Sequence, residues 1–187
     1  MRVLGIDPGL TRCGIGVVDV SATRAVSLVY VGVVATSPDL ALERRLLAIS
    51  QGIADVVDEF EPEAVGIERM LAQHNLRTVM GTAQASGVAL QIAASRGLAV
   101  GLHTPSEVKA AITGYGAADK RQVGAMVARV LGLDVVPRPA DAADALAIAI
   151  CHAWKGPALV AGRGALTPAQ RAWQDAEKTA TSRKAFS

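Results

Sequence analysis

The sequence predicts an α/β fold built around one mixed β-sheet. Three short apolar segments open the chain with brief connections between them, which favours an antiparallel meander. A helical segment then leads into a fourth apolar segment, and a strand that follows such a crossover usually runs parallel to its neighbour. The composition supports an aliphatic core, because 51% of the residues are hydrophobic and only 3% are aromatic.

The first strand is predicted over Arg2 to Asp7, where an apolar run ends in a carboxylate before the Pro8-Gly9 turn. A buried carboxylate is costly unless a cation meets it, so we hypothesise a divalent metal at Asp7. In the second strand, Gly14 and Gly16 indicate either a tight bend or room for a ligand beside Asp7. The second and third strands are predicted over residues 13–20 and 25–35.

The first helix is predicted from Ser37 to about Phe60, because Pro38 and Asp39 suit its first turn. Its sheet-facing stripe, at spacings of three and four, is Leu42, Leu46, Ile49, Ile53 and Val57. A short strand that also ends in a carboxylate is predicted over Ala64 to Glu68. If it lies parallel to the first strand, Asp7 and Glu68 emerge at the same sheet edge, where open α/β sheets bind ligands.

A long helix predicted over residues 76–96 has small or apolar side chains on nearly all its sides. A surface helix normally shows a single apolar stripe, so this helix is predicted to be buried on two sides. One side can pack on the sheet, and we predict that the other packs on a second copy of the chain in a homodimer. The alternative is that another helix of the same chain covers it.

Two shorter helices carry candidate cations. After a fifth strand over residues 98–103, Thr104 and Glu107 predict the capped start of a helix that carries Lys109. The next helix, over residues 119–131, has Lys120 and Arg121 in its first turn. Cations at that end oppose the helix macrodipole, so both are predicted to face an anion.

The last helix, predicted over residues 141–154, begins with two acids that share one face, Asp141 and Asp144. Residues 1–155 are predicted to form one domain, and residues 156–187 an appended basic tail. The tail from Lys155 onward carries six basic and two acidic residues, so the rest of the chain carries about −2 of the net charge of +2. An acidic domain binds nucleic acid only with help from metals or a local basic patch.

The compartment is predicted from what the sequence lacks. Its two cysteines, Cys13 and Cys151, are far apart in apolar settings, which favours a reducing cytoplasm over a disulfide framework. The N-terminus shows no secretory signal pattern, and no apolar run approaches the length that spans a bilayer, so no membrane partner is expected.

Four carboxylates stand out as a candidate site: Asp7, Glu68, Asp141 and Asp144. Each has a structural alternative, since Asp7 can be a turn former, Glu68 can pair with Arg69 or Arg77, and the other two can cap their helix. Four carboxylates at one rim repel one another, and hard divalent cations relieve that repulsion. Oxygen-only ligands favour magnesium or manganese over zinc, and two such ions can support phosphodiester hydrolysis.

Four stretches together resemble the RuvC Holliday junction resolvases of the ribonuclease H-like superfamily. They are Gly-Ile-Asp7-Pro-Gly, Ile-Glu68-Arg, Gly-Thr-Ala-Gln-Ala-Ser-Gly at 81–87, and Ala-Asp141-Ala-Ala-Asp144-Ala-Leu-Ala-Ile-Ala. The last motif is quite specific, whereas the first is shared across the superfamily. The resemblance covers about residues 1–154 and keeps the family's order of elements.

The resemblance implies a ribonuclease H-like five-stranded mixed sheet flanked by helices on both faces, and a homodimer. It implies magnesium-dependent paired nicking of opposing strands of four-way junction DNA, with manganese able to substitute, and work alongside the RuvA–RuvB branch-migration complex. The four carboxylates match the family's catalytic acids, with Asp7 expected between two ions. Lys109 and Lys120 match basic positions that contact the DNA backbone, and Arg69, Arg77 and Arg121 are further expected DNA contacts.

One position departs from the family pattern. Many members carry an aromatic residue three positions after the glutamate of the fourth strand, and it wedges into the junction, whereas this chain has Leu71. An apolar wedge can still unstack bases, but without ring stacking. The resemblance therefore implies altered junction affinity or distortion with the chemistry intact. The alternative is that Leu71 contacts the partner subunit.

Two other functions are compatible with parts of the pattern. Asp7-Pro-Gly-Leu-Thr11 resembles the first phosphate loop of actin-type and sugar-kinase phosphotransferases, but this chain is too short for their two lobes and lacks a second glycine-rich phosphate motif. A non-catalytic DNA-binding or assembly module of the same fold is the second alternative. Such a module would be free to lose its acids, yet all four are present.

Overall fold

Five strands form one mixed sheet in the order β3-β2-β1-β4-β5. The computed structural model describes residues 1–69 and 76–155. The pairs β1–β2 and β2–β3 are antiparallel, whereas β1–β4 and β4–β5 are parallel, so the predicted meander and crossover are confirmed. The strands are β1 (Arg2–Asp7), β2 (Arg12–Val20), β3 (Val26–Ala35), β4 (Ala64–Glu68) and β5 (Ala99–His103).

Helices cover both faces of the sheet, as predicted. One apolar core lies between the sheet and α1 and α2, and a second lies between the sheet and α3, α4 and α5. None of the helices in the described part of the chain combines the length and apolar character that a bilayer crossing requires. The helices are α1 (Leu42–Phe60), α2 (Leu76–Ser95), α3 (Pro105–Thr113), α4 (Lys120–Leu131) and α5 (Ala140–Lys155).

A row of glycines crosses the sheet beneath α5. Gly16, Gly5, Gly66 and Gly101 are direct register partners on the adjacent strands β2, β1, β4 and β5. A methyl group on Gly5 would overlap the carbonyl oxygen of Ala145 and would lie 2.5 Å from the amide nitrogen of Ala149. The row is therefore a trough that lets the backbone of α5 lie directly on the sheet.

Both sequence interpretations of Gly14 and Gly16 are wrong, because these glycines accommodate α5. Neither residue forms a tight bend or a ligand space, because both lie inside β2 under α5. A methyl group on Gly14 would overlap the carbonyl oxygen of Asp141, and one on Gly16 would lie 2.9 Å from Leu146 Cδ2. The missing side chains thus make room for the helix that carries two of the candidate acids.

The start of α1 differs from the prediction. Residues Ser37–Asp39 form a local turn, in which the amide of Leu40 donates to the carbonyl of Ser37, and the helix begins only at Leu42. Leu42 is 41% exposed, so the buried stripe starts later, at Ile49. A side chain that caps its own turn competes with helix formation, which explains why Ser37 opens a turn.

Two buried histidines meet under the C-terminal half of α5. Nε2 of His103 and Nδ1 of His152 are 2.9 Å apart, and both side chains are buried. Burial, with a smaller contribution from the neighbouring His103, lowers the pKa of His152 from 6.5 to about 4. His152 is therefore a neutral core residue at physiological pH.

We expect this histidine to make the fold acid-sensitive. As the pH falls below 6.5, the unfolded chain takes up the His152 proton before the folded chain does, so stability present above pH 6.5 is lost by about pH 4. The loss attributable to His152 is about 2–3 kcal/mol. Urea unfolding of wild type and His152→Leu at pH 7 and 4.5 measures it. An equal decline in both proteins would contradict this explanation.

Candidate active site

Asp7 and Glu68 occupy equivalent positions at the ends of two parallel strands. Each follows a glycine of the trough by two residues, Asp7 after Gly5 and Glu68 after Gly66. Because side chains alternate along a strand, both carboxylates project from the sheet face that α5 covers. The parallel pairing predicted from the sequence therefore brings them to one edge.

The helix α5 adds Asp144 to the same place. Asp141 and Asp144 lie inside the first turns of α5, which begins at Ala140, so neither residue is its N-cap. Asp144 lines a pocket of about 310 Å³ together with Asp7, Glu68, Lys109 and Lys120. Apolar residues of α3, α4 and α5, among them Val108, Val123 and Ile148, form the rest of its wall.

Two capped helices aim the lysines into this pocket. Thr104 and Glu107 form the predicted capping box of α3, which fixes the helix that carries Lys109. Asp119 and Gln122 form a second capping box, which makes Lys120 the first residue of α4. Each box satisfies backbone donors at its helix start, so the position at which each of these helices begins follows from the local sequence.

The carboxylates in the pocket repel one another. Burial, and then the charges of Glu68, Asp144 and Asp141, raise the pKa of Asp7 from 3.8 to about 7. Burial and the charge of Asp144 also raise the pKa of Glu68. Within the described part of the chain, Glu68 forms no ion pair with Arg69 or any other cation. The pocket thus has a deficit of positive charge around Asp7 and Glu68.

Lys120 partly relieves this deficit. Its Nζ donates to Oδ2 of Asp144 at 2.8 Å, and this hydrogen bond raises the pKa of Lys120. The anion predicted to face Lys120 is therefore, in this structure, the Asp144 carboxylate. Lys109 lines the same pocket, and its charge opposes the rise in the pKa of Glu68.

The fourth carboxylate, Asp141, faces a neighbouring cleft. Nε of Arg12 lies 2.7 Å from Oδ2 of Asp141, an ion pair that lacks the geometry of a hydrogen bond, so this buried oxygen accepts no hydrogen bond from residues 1–69 and 76–155. The cleft has a volume of about 530 Å³ and is also lined by Thr11, Arg45 and Thr82. Three of the four predicted acids thus share one pocket, and Asp141 lies beside them.

The donor set fits a hard divalent cation. Three carboxylates supply only oxygen ligands, and mutual repulsion in a buried place is what such a cation relieves. Among the described residues, no three acidic, histidine or cysteine side chains are already arranged around a metal position. The ion pairs explain this arrangement, because Asp144 is turned to Lys120 and Asp141 to Arg12. A cation held by Asp144 would compete with Lys120 for this carboxylate.

The remaining predicted DNA contacts divide into three groups. Arg69 is exposed at the end of β4, where its backbone amide donates to the carbonyl of His103. Arg121 lines a surface pocket beside Lys120 and Asp144. Leu71 and the side chain of Arg77 lie outside the described residues, so the wedge and its alternative stay predictions.

Sequence reasoning missed two residues, Arg12 and Arg45. Arg12 begins β2 directly after the Pro8-Gly9 turn, and Arg45 lies in the first turns of α1. The short spacing between Asp7 and Arg12 could have indicated Arg12. An antiparallel strand that follows a short turn begins at the sheet edge where β1 ends, so its first residue lies near Asp7. Arg45 carried no such signal, since it lies outside the predicted sheet-facing stripe of α1.

A family model described as "Crossover junction endodeoxyribonuclease RuvC" matches residues 3–152. The crossover junction endodeoxyribonuclease RuvC of Leifsonia xyli subsp. xyli is 63% identical, over 96% of this chain and 93% of its own length. The protein of the same name from Streptomyces avermitilis is 65% identical, over 84% of this chain and 90% of its own length.

A solved structure extends the similarity to three dimensions. The structure of T. thermophilus RuvC in complex with Holliday junction substrate is 39% identical in sequence and has a TM-score of 0.79. The match covers 83% of this chain and 94% of the T. thermophilus chain. Asp7, Glu68, Asp141 and Asp144 lie within residues 3–152, which the family model matches.

Proposed function

Because the chain belongs to the RuvC family of crossover junction endodeoxyribonucleases, we propose that the pocket of Asp7, Glu68 and Asp144 cuts four-way junction DNA by nicking opposing strands. The chain is a metal-dependent nuclease that resolves Holliday junctions by hydrolysing phosphodiester bonds. The observation that carries the proposal is the meeting of two strand-end carboxylates with an α5 carboxylate in one pocket.

We propose magnesium as the cofactor, with two ions per subunit and manganese able to substitute. The charges of all three other acids act on Asp7, so Asp7 would be the ligand shared by both ions, and Glu68 and Asp144 would each hold one of them, with Asp141 close by. When bound, such ions activate water and stabilise the leaving oxygen in phosphodiester hydrolysis. The raised pKa of Asp7 supports this assignment, because it shows that the negative charge of Asp7 is destabilised in the pocket and that a cation would stabilise it.

The protein's own cations are proposed to hold the DNA backbone. Lys109 and Lys120 line the carboxylate pocket, where ammonium groups can contact phosphate oxygens without reading sequence. Lys120 has a second role, because its bond to Asp144 neutralises that carboxylate before a cation arrives. Arg69 and Arg121 are exposed near the same edge and are proposed as outer backbone contacts.

Paired nicking requires two pockets, and we propose that a homodimer supplies them. One side of α2 packs in the core through Ala85, Ala89 and Ile92. The other side shows an exposed stripe at helical spacing, formed by Met80, Ala83, Gly87, Gln91 and Ala94. The small residues Ala83, Gly87 and Ala94 in this stripe allow close approach of a second copy. A strictly monomeric mass by light scattering at micromolar concentration would contradict the dimer.

The wider setting is also proposed. We propose that residues 1–155 form the nuclease domain and that residues 156–187, which lie outside the described residues, form a basic extension. We propose that the protein works in the cytoplasm alongside a RuvA–RuvB branch-migration complex. The family membership and the buried free thiol of Cys13 support this setting.

A synthetic four-way junction tests the proposed function. With magnesium, we expect symmetric nicks in opposing arms and little cutting of a linear duplex of the same sequence. Binding of the junction without nicking, in manganese as well as in magnesium, would favour the non-catalytic module. Equal cutting of the duplex would contradict specificity for junctions.

Replacement of Lys120 by Gln separates its two roles. We expect the cleavage rate at saturating magnesium to fall about 100-fold, because a cation beside the reacting phosphate is lost. The magnesium concentration for half-maximal rate should fall as well, because Asp144 is no longer held. Arg129→Gln, at the exposed end of the same helix, is the matched control. A cleavage rate equal to that of the control would rule out the phosphate contact, and an unchanged magnesium half-point would rule out the role in holding Asp144.

A further inference from the structure

The cleft beside the active-site pocket has no role in the proposed chemistry. It lies at the Pro8-Gly9 turn and has a volume of about 530 Å³. Its polar lining is Thr11, Arg12, Arg45, Thr82 and Asp141. Asp141 and Asp144 are one helical turn apart, and each borders its own cavity, so the cleft and the carboxylate pocket lie side by side at the end of β1.

Arg45 is held rigidly in this cleft. Its Nε donates to Oγ1 of Thr36 and its Nη2 donates to Oγ1 of Thr11, both at 2.9 Å. Thr36 is buried, and its hydroxyl donates in turn to the carbonyl of Leu10 at 2.6 Å. The guanidinium is therefore tied to the turn that follows Asp7, which reduces the entropy lost when it binds a ligand.

The charge in the cleft is unbalanced. Arg12 and Asp141 neutralise each other as an ion pair, whereas Arg45 forms no ion pair within the described residues. Both groups that bind Arg45 are neutral hydroxyls, and the side chain is half-buried. A partly desolvated cation without a counter-charge favours an anion, and the Thr11 hydroxyl still has its own proton to donate.

We propose that this cleft binds a phosphodiester of the DNA strand that is being cut, within a few nucleotides of the scissile bond. The proposal rests on the proposed function, because the occupant is a second phosphate of the same substrate. The bound strand would run from Lys109 and Lys120 across Asp7 to Arg45. An oriented guanidinium forms two parallel bonds to a phosphate, so Arg45 would fix the register of the strand.

Replacement of Arg45 by Gln, with Arg44→Gln as the matched control, tests the cleft. Arg44 is the adjacent cation of α1 and is exposed. Junction affinity measured by fluorescence anisotropy in EDTA should fall about 10-fold for Arg45→Gln, and the slope of log K against log salt should shrink by about 0.9. Arg44→Gln should match wild type in both measurements.

A scan of single neutral methylphosphonates along the cleaved strand locates the contact. In wild type, one position within a few nucleotides of the cut should cost about 10-fold in affinity, and the same position should cost Arg45→Gln nothing. If the melting temperature of Arg45→Gln is well below that of wild type, Arg45→Lys is used in the scan instead. The lysine keeps the charge but cannot bridge Thr11 and Thr36.

The outcomes separate the cleft from the active site. Two results overturn the cleft proposal when the wild-type protein cleaves junctions. One is an Arg45→Gln affinity equal to that of wild type. The other is a methylphosphonate scan in which every position has the same effect on Arg45→Gln as on wild type. A wild-type chain that neither prefers nor cuts junctions overturns the proposed function and the cleft with it.

Discussion

Asp7→Asn should abolish junction cleavage, with a loss of at least about 1,000-fold, because the pocket loses the negative charge of its central carboxylate. Asn keeps the size of the side chain, so the loss is expected without any change in fold. Single-turnover nicking of a four-way junction in magnesium measures it. Asp55→Asn, which neutralises an exposed acid on α1, is the matched control and should cleave like wild type.

The same substitution should stabilise the protein when no divalent cation is present. The pKa of Asp7 is about 7 in the folded chain, above its ordinary value of 3.8, so the unfolded chain loses the proton first. Stability is therefore lost as the pH rises from about 4 to 7 or above. At pH 8 in EDTA, Asp7→Asn should raise the free energy of unfolding by up to about 4 kcal/mol.

Two results would contradict this account of Asp7. Full magnesium-dependent cleavage by Asp7→Asn would show that Asp7 is not a ligand. A free energy of unfolding that is unchanged at pH 8 would show that the carboxylate is not under repulsion. The combination of lost activity with raised stability is the diagnostic result, since most substitutions at a structural position lose both.

Gly5→Ala should have the largest effect on the fold. Its methyl group would overlap the carbonyl of Ala145, so α5 must move away from β1 or the strand must distort. We expect the free energy of unfolding to fall by at least about 3 kcal/mol. Since α5 carries Asp144, cleavage by the folded fraction should fall about 100-fold as well.

Gly116→Ala is the control for Gly5→Ala. The added methyl group would lie 3.3 Å from the carbonyl oxygen of Ser106, and 3.8 and 4.0 Å from the Cβ atoms of Ser106 and Ala110, so it overlaps none of them. We expect a change below about 1 kcal/mol in urea unfolding and wild-type cleavage. Wild-type stability and cleavage in Gly5→Ala would show that the close seating of α5 on the glycine trough is not required.

The sheet was predictable because local signals and topology agree. Short connections specified the meander, and the crossover before Ala64–Glu68 specified the parallel strand that sets Glu68 beside Asp7. The resemblance to known resolvases and the specific motif around Asp141 and Asp144 pointed to the same acids. The later start of α1 was missed, because Ser37 and Pro38 suit a turn as well as a helix N-terminus.

The trough and the second cleft were not predictable from local patterns. The role of Gly5, Gly16 and Gly66 appears only when strand register aligns them, and register depends on pairings distant in sequence. The placement of Asp141 and Asp144 in different cavities likewise depends on the cation with which each carboxylate pairs. Arg12 and Lys120 come from different elements, and their approach to α5 is a property of the tertiary structure.

Calorimetric titration with manganese tests most directly whether the carboxylate pocket is a metal site. Titrations at pH 6 and pH 8, each in two buffers of different ionisation enthalpy, give the number of protons released. With a pKa of about 7 for Asp7, binding should release at least about 0.9 proton per pocket at pH 6 and about 0.1 at pH 8. Asp7→Asn should bind manganese much more weakly and release less. Equal proton release at both pH values, or unchanged affinity in Asp7→Asn, would contradict the account.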